Sequence, residues 1–106
     1  MTRGDSERIA DIVAACAELA EVVTERERGG VTAVVLLRAA ERLLEILGEA
    51  ATQVSPQTRT RYPRVDWQGL SRLRIVLAHQ DHRTDPDLVW QYAEQDVPAL
   101  SRALTQ

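Results

Sequence analysis

The residues best suited to chemistry lie between Leu70 and Arg83, where the chain reads Leu-Ser-Arg-Leu-Arg-Ile-Val-Leu-Ala-His-Gln-Asp-His-Arg. Both histidines of the protein, His79 and His82, fall in this stretch together with three arginines. An imidazole with an unperturbed pKa of about 6.5 can give or take a proton near neutral pH. A guanidinium can hold two phosphate oxygens at once. The combination suits chemistry at a phosphodiester.

Arg74 and His79 are the pair that best fits cleavage of RNA. The ribose 2′-OH can attack the neighbouring phosphorus, which leaves a 2′,3′-cyclic phosphate and a 5′-OH. This reaction needs a general base, a general acid and a cation on the phosphorane, and it needs no metal. The sequence shows no zinc-ligand spacing, no phosphate-cradling glycine loop and no Ser-His-Asp set, so it predicts neither a metal site nor a cofactor.

The spacing of this pair raises a geometric problem. Two residues five positions apart project about 140° apart on an ideal helix. They can converge if the helix frays at His79, or if one of the two comes from another subunit. Taken alone, the spacing is more typical of a structural histidine at position 79 than of a catalytic one, and His82 is more typical of a solvated loop histidine.

Charge is distributed unevenly along the chain. Residues 59–83 hold six arginines and two aspartates, a local net charge of +4, although the whole chain carries −3. A cationic segment on an acidic chain favours an anionic partner, with Arg72 and Arg83 as candidate contacts to the substrate beside His82. Arg59, Arg61 and Arg64 form either a phosphate-tracking rim or an exposed set of solubility charges.

Composition predicts one helical domain spanning residues 1–106. The chain of 106 residues contains five glycines and no phenylalanine, so aliphatic side chains must supply most of the core. The lone Cys16 cannot form an internal disulfide, which fits a reducing compartment. No apolar run approaches the roughly 20 residues of a membrane span, and the N-terminus lacks an apolar signal segment. We therefore expect a cytoplasmic protein without membrane contact.

Periodicity and capping signals predict the helices. They are expected at about residues 6–28, 33–53, 56–61, 67–79 and 86–104, with caps at Ser6, Thr32, Ser55, Asp66 and Asp85. Pro98 should kink or divide the last helix. The second helix is apolar around much of its circumference, which indicates a core on one side and a second subunit on the other. Gly48 within it indicates a close approach of another helix.

Several landmarks of the sequence occur together in one known family. They are Glu-Arg-Leu-Leu-Glu-Ile-Leu-Gly-Glu-Ala-Ala at 41–51, Ser-Pro at 55–56, Arg-Tyr-Pro at 61–63, Trp67, Arg-Leu-Arg-Ile-Val-Leu-Ala-His at 72–79, Asp85, Val89-Trp90 and Asp96-Val97-Pro98-Ala99-Leu100. In these positions the chain resembles the HepT-like toxins of the HEPN superfamily, small helical ribonucleases encoded beside a minimal nucleotidyltransferase antitoxin.

The resemblance implies an all-α antiparallel bundle of four to five helices that forms a homodimer, with paired motifs lining a cleft between the subunits. It implies a metal-independent endoribonuclease, the toxin of a toxin–antitoxin pair, with an RNA substrate and a nucleotidyltransferase-type (MNT) antitoxin as partner. The family signature is an arginine, four to six residues, a histidine, any residue and a tyrosine. Arg74 and His79 match its arginine and histidine.

Two positions depart from the family pattern. Ile75 stands where a polar residue usually follows the arginine, and Asp81 stands in place of the tyrosine, which in some relatives receives AMP from the antitoxin. Two alternatives to a nuclease therefore remain: a degenerate HEPN module that binds RNA or the antitoxin without cleavage, and a purely structural dimer. Arg42, Glu45 and Glu49, which match polar positions of the family's second helix, either form an i, i+3 pair on a solvated face or hold Arg74 in place.

Overall fold

The computed structural model of the protein describes residues 4–80 and 85–105. The regular structure within these residues is helical throughout, and it comprises α1 (Asp5–Arg28), α2 (Ala33–Thr52), α3 (Pro56–Arg61), α4 (Trp67–Gln80), α5 (Pro86–Gln91) and α6 (Val97–Leu104). A π-helical turn, Tyr92–Asp96, joins α5 to α6. The predicted all-α fold is confirmed, and the predicted ends of the first, second and fourth helices lie within one residue of the observed ends. Within the described ranges, no helix is long and apolar enough to cross a membrane.

The core lies where α2 contacts both α1 and α4, with the α5–α6 segment closing it from the side of α1. Its largest fully buried side chains are Ile12, Leu19, Leu44, Leu47 and Val89. Cys16 is also buried in this core, and its desolvation raises the pKa of the thiol to about 11. The predicted core role of Cys16 is therefore confirmed.

Helix starts follow the local sequence in three of the five predicted cases. The side chains of Ser55, Asp66 and Asp85 accept backbone N–H groups two or three residues further along, at 3.3, 2.9 and 3.0 Å. The predicted cap at Ser6 is wrong, because α1 begins at the residue before it and Ser6 lies in the first turn. Thr32 occupies the cap position of α2, but its side chain makes no capping hydrogen bond.

Asp5 ties the start of α1 to the start of α3. Its carboxylate accepts the Ser55 hydroxyl, the Ser55 backbone N–H at 3.2 Å and the Thr58 hydroxyl at 2.5 Å. The hydroxyl groups of Ser55 and Thr58 are the main reason that the pKa of Asp5 lies below its ordinary value, since they stabilise the ionised form. The N-terminal end of the long helix is thereby fixed to the short helix that precedes α4.

Pro98 is accommodated by the π-helical turn. Proline has no N–H to donate to the carbonyl four residues back, and the turn directly before it is wider: the Val97 N–H donates to the Tyr92 carbonyl, five residues back. The predicted interruption thus takes the form of a register change rather than a break. Beside the turn, Trp90 is 8 % exposed and lies beneath the Arg26 guanidinium, 4.3 Å from the ring centroid.

Candidate functional site

The site is built on the contact between α2 and α4. Gly48 is buried at this contact, and a Cβ at its position would lie 3.3 Å from the Cβ and 3.6 Å from the Cα of Arg74. A side chain there would therefore press directly on the backbone region of α4 that carries Arg74. The close helix approach predicted at Gly48 is confirmed, and it fixes Arg74 against α2.

An open groove of about 590 Å³ runs along the same two helices. Its described lining consists of Arg42, Glu45, Glu49, Arg74, Ile75, Leu77 and Ala78. The side chain of Arg74 is 50 % exposed, so its guanidinium is accessible from solvent. Ile75, at 53 % exposure, places an uncovered aliphatic side chain beside it. The arginine named from the sequence thus lies in a concave surface rather than in the core.

The cations of this groove are paired with acids of α2. Arg74 donates from Nε to Glu49 Oε2 at 2.5 Å, and Arg42 Nη1 lies 3.3 Å from Glu45 Oε2. The two arginines and two glutamates give the described lining a net charge of zero. The excess of +4 counted along residues 59–83 therefore does not form an uncompensated patch here, because α2 supplies carboxylates from outside that segment.

Arg72 lies on the other side of α4, in a second cavity of about 300 Å³. Its Nη2 is 4.0 Å from Asp66 Oδ2, a loose contact between two well-exposed side chains. Asp96 lines the same cavity, and burial, with the nearby Asp66 as a second cause, raises the pKa of its carboxyl group. The fold does not bring Arg72 into the groove of Arg74, and its role in substrate binding stays a prediction.

His79 lies on α4, which continues as a helix to Gln80. The side chain of His79 is outside the described residues, and so are Asp81, His82 and Arg83 entirely. The roles predicted for these residues remain predictions. One of the two ways in which Arg74 and His79 were expected to converge does not hold, because α4 does not fray at His79. A second subunit is the other of the two ways, and it stays a prediction.

Arg59 has a role that sequence analysis did not identify. Its Nε donates to the Val54 carbonyl and its Nη2 to the Ala51 carbonyl, both at 3.1 Å, and its guanidinium lies 5.4 Å from the centroid of the Trp67 ring. These carbonyls stand at the C-terminal end of α2, where a cation is favourable. Arg59 is therefore an internal clamp between α2 and α3, whereas Arg61 and Arg64 are exposed. The sequence could have indicated this role, because the last turn of α2 contains no basic residue of its own to interact with the carbonyls at its end.

No group of three or more His, Cys, Asp or Glu side chains with metal-binding geometry occurs in residues 4–80 and 85–105, where the side chains of His79 and Gln80 are not included. The described groove instead offers guanidinium, carboxylate and aliphatic groups. The guanidinium groups can bind and orient an anion.

Comparison with known proteins identifies a family. A family model described as Ribonuclease HepT-like matches residues 12–106. Relatives include "Putative RNase MJ1380" of Methanocaldococcus jannaschii, 34% identical over 61 residues that cover 58% of this chain and 56% of that protein. Another is "Probable ribonuclease HepT" of Thermococcus cleftensis, 31% identical over 59 residues, or 56% of this chain and 54% of the relative.

A third relative, "Putative RNase TTE0752" of Caldanaerobacter subterraneus subsp. tengcongensis, is 28% identical over 72 residues, which are 68% of this chain and 64% of that protein. The matched part of the chain spans about half the length of the first relatives named. No solved structure matches significantly. The family match nevertheless extends over both helices of the groove and the α5–α6 segment, and it agrees with the resemblance seen in the sequence. The chain belongs to the Ribonuclease HepT-like family of the HEPN superfamily, whose named relatives are RNases.

Proposed function

We propose that the protein is a metal-independent endoribonuclease in which Arg74 stabilises the phosphorane and His79 transfers protons. The observation that carries this proposal is the half-exposed guanidinium of Arg74 in an open groove, on a chain of an RNase family. A guanidinium held on a helix, rather than on a mobile loop, can meet the charge that develops on phosphate without reorganising during the reaction.

The reaction forms one bond to phosphorus and breaks another. The 2′-oxygen loses its proton to a general base and attacks the adjacent phosphorus, which forms the P–O2′ bond of the cyclic phosphate. The P–O5′ bond breaks, and the departing 5′-oxygen takes a proton from a general acid. An imidazole near its ordinary pKa can serve in either step at neutral pH. In each site across the two subunits, one His79 would serve in one of these steps and water would serve in the other.

The proposal includes a homodimer whose cleft joins Arg74 of one copy to His79 of the other. Its support is the helical course of α4 through Gln80, on which positions 74 and 79 are five residues apart, and three exposed aliphatic side chains on α2 and α4. Val34 and Val35 on α2 and Ile75 in the groove are 52, 55 and 53 % exposed, so they offer aliphatic surface that a second copy could cover. A second copy that covered this surface would complete the reacting set.

Three further residues are proposed to contact the RNA near the reacting phosphate. They are Arg72, Arg83 and His82, whose cationic or hydrogen-bonding groups suit phosphate and base edges. Asp81 adds a negative charge to the same segment, so we expect it to weaken RNA binding unless an arginine pairs with it.

In the cell, we propose that the protein acts in the cytoplasm as the toxin of a toxin–antitoxin pair whose other member is a nucleotidyltransferase-type antitoxin. Asp81 lacks the phenolic oxygen that accepts AMP in some relatives, so neutralisation would require direct contact or another modified group. Co-expression of the neighbouring gene should relieve growth arrest caused by the wild type. Arrest that persists with every neighbouring gene would contradict this part of the proposal.

The decisive experiment incubates the purified protein with total RNA in the presence of a chelator. The wild type should yield 2′,3′-cyclic phosphate and 5′-OH ends. His79→Ala and Arg74→Ala should yield neither while retaining their circular dichroism spectrum. Arg102→Ala is the matched control, because Arg102 is an exposed arginine on α6, outside the groove. Undiminished cleavage by His79→Ala would overturn the assignment.

Subunit complementation tests the shared site. In a mixed dimer of Arg74→Ala and His79→Ala chains, sites built across two subunits retain one intact pair, and sites within one subunit retain none. Co-expressed variants should therefore recover about half of the wild-type activity per mixed dimer, whereas each variant alone stays inactive. No recovery, with mixed dimers shown by mass spectrometry, would refute pairing across the interface.

A second candidate function is a HEPN module that binds RNA or the antitoxin without cleaving. The zero net charge of the described groove favours it, as does the acid at position 81. This function predicts salt-dependent RNA binding with intact RNA ends and no toxicity on expression. A purely structural dimer predicts neither RNA binding nor toxicity. One RNA-binding titration beside the cleavage assay therefore distinguishes the nuclease, the binding module and the structural dimer.

A further inference from the structure

Glu49 is the residue most closely engaged with the proposed catalytic arginine. It projects from α2, and its Oε2 accepts the Nε–H of Arg74 on α4 at 2.5 Å, although 25 positions separate the two residues in the chain. Among the residues that the structure describes, Glu49 is the only hydrogen-bond partner of the Arg74 guanidinium. Its side chain is 52 % exposed, so burial does not force the contact.

The backbone arrangement explains why the bond forms at this place. Gly48, directly before Glu49, lacks the Cβ that would meet the Cβ of Arg74 at 3.3 Å. The start of the Arg74 side chain therefore lies against the α2 backbone, and the next residue of α2 reaches the guanidinium from the side. Two adjacent residues thus act on one arginine: Gly48 sets its distance from α2 and Glu49 sets its orientation.

The identity of the bonded atom distinguishes two possible roles for Glu49. A carboxylate that imitated phosphate would occupy the terminal nitrogens in a two-bond fork. Here the carboxylate bonds to Nε, which leaves Nη1 and Nη2 without a described partner. A guanidinium that is held through Nε keeps the N–H groups of Nη1 and Nη2 in a fixed plane, where they can donate to two oxygens of a phosphate.

We propose that Glu49 is a positioning residue that orients the Arg74 guanidinium toward the reacting phosphate, with Gly48 providing the close approach that makes this possible. The inference rests on the proposed function. It carries an electrostatic cost, because a carboxylate near phosphate repels it. We therefore expect Glu49 to aid the transition state through geometry while slightly opposing ground-state binding of RNA.

Glutamine and alanine at position 49 separate geometry from charge. Both variants remove the negative charge, but only glutamine keeps an oxygen that can accept from Nε. In single-turnover cleavage, Glu49→Ala should lower the rate constant by about 10- to 100-fold, as expected for a misplaced catalytic group, and Glu49→Gln should stay within about 3-fold of the wild type. Glu18→Ala is the matched control, since Glu18 is an exposed glutamate on α1 outside the groove. Glu45→Ala removes the same charge from the groove without touching Arg74, so its loss should be smaller than that of Glu49→Ala.

The pH profile and the RNA concentration dependence sharpen this assay. In Glu49→Ala the lost orientation and the relieved repulsion act on RNA binding in opposite directions, so KM should stay within about 3-fold while kcat falls. The apparent pKa values of the profile should stay unchanged. An unchanged or faster rate in Glu49→Ala would overturn the inference, because it would mean that Glu49 only competes with phosphate. A loss in Glu45→Ala equal to that in Glu49→Ala would do the same, because it would indicate a general effect of groove charge.

Binding of an RNA with 2′-O-methyl riboses, which cannot be cleaved by this route, keeps the inference testable even if the wild type cleaves no RNA. Glu49→Gln should bind this RNA about 3- to 10-fold more tightly than Glu49→Ala, because the two variants differ in holding Arg74 and not in charge. Equal affinities would refute positioning. Lack of cleavage by the wild type, together with tighter binding by Glu49→Gln, would refute the nuclease while leaving the positioning role in place.

Discussion

Replacement of Arg59 decides whether this residue is a phosphate contact or an internal clamp. The guanidinium makes two hydrogen bonds of 3.1 Å to carbonyls at the end of α2 and lies 5.4 Å from the Trp67 ring centroid. A hydrogen bond to a charged group contributes about 1.5–3 kcal/mol, and a cation–π contact about 0.5–1 kcal/mol when exposed. Because Arg59 is only half-buried, water would replace part of these interactions. We expect Arg59→Ala to lower the free energy of unfolding by about 2–3 kcal/mol.

Urea denaturation followed by circular dichroism measures this loss, with Arg64→Ala as the control. Arg64 is exposed and makes no ion pair with a described residue, so its replacement should change the free energy of unfolding by less than about 0.5 kcal/mol. For a chain of this length, the loss in Arg59→Ala corresponds to a decrease in Tm of about 8–12 °C. The free energy of unfolding of Arg59→Lys should lie between those of the wild type and Arg59→Ala, because an ammonium group keeps the charge but lacks the fork that reaches both carbonyls.

The opposite pattern would refute the reasoning. A phosphate contact at Arg59 would leave stability nearly unchanged, weaken RNA binding and reduce the salt dependence of the affinity by about one released counterion. An Arg59→Ala protein as stable as Arg64→Ala would mean that the two carbonyl bonds contribute nothing. RNA titrations of both variants at several salt concentrations distinguish these outcomes.

Other predictions concern Cys16, Asp5 and Gly48. Burial raises the pKa of the Cys16 thiol to about 11, so alkylation by iodoacetamide at pH 8 should be at least about 100-fold slower in the folded protein than in urea. Hydroxyl groups of Ser55 and a nearby threonine depress the pKa of Asp5 in the folded state, so Asp5→Asn should lower the free energy of unfolding above the ordinary aspartate pKa of about 3.9, and this loss should shrink as the pH falls through the depressed pKa. A loss that persists in strong acid would contradict this. Gly48→Ala should gain about 1 kcal/mol in helix propensity but offset it against the 3.3 Å contact with Arg74, so net stabilisation of that size in urea titrations would contradict the close approach.

Sequence reasoning succeeded where the determining interactions are local. The Ser55-Pro56 and Asp85-Pro86 pairs each predict a helix start, and both caps are observed. Each cap involves an N–H group no more than three residues further along the chain. It failed at Ser6, because α1 begins one residue earlier, at Asp5. The Asp5 carboxylate accepts hydrogen bonds from Ser55, 50 positions away in the chain, and no local pattern contains such a contact.

The candidate site likewise combines features that the local sequence predicts with features that depend on tertiary contacts. The position of Arg74 on α4 and the close approach at Gly48 follow from periodicity and from the one glycine inside a strong helix. The Arg74–Glu49 bond could be weighed only as an alternative from the sequence, because it depends on the register of α4 against α2. The role of Arg59 was hidden for the same reason, since its carbonyl partners carry no side-chain signal.

Charge counting along the chain did not show how the described groove is balanced. The segment with a net charge of +4 contributes Arg74 to the groove, but α2 adds Arg42, Glu45 and Glu49, and the described lining balances to zero. Such a groove gains little from long-range steering, so it must act through short-range hydrogen bonds in a fixed geometry. We therefore expect substitutions in the groove to change the rate of cleavage more than the affinity for RNA. The opposite ranking would assign RNA recognition to cations elsewhere on the protein and reduce this groove to a helix contact.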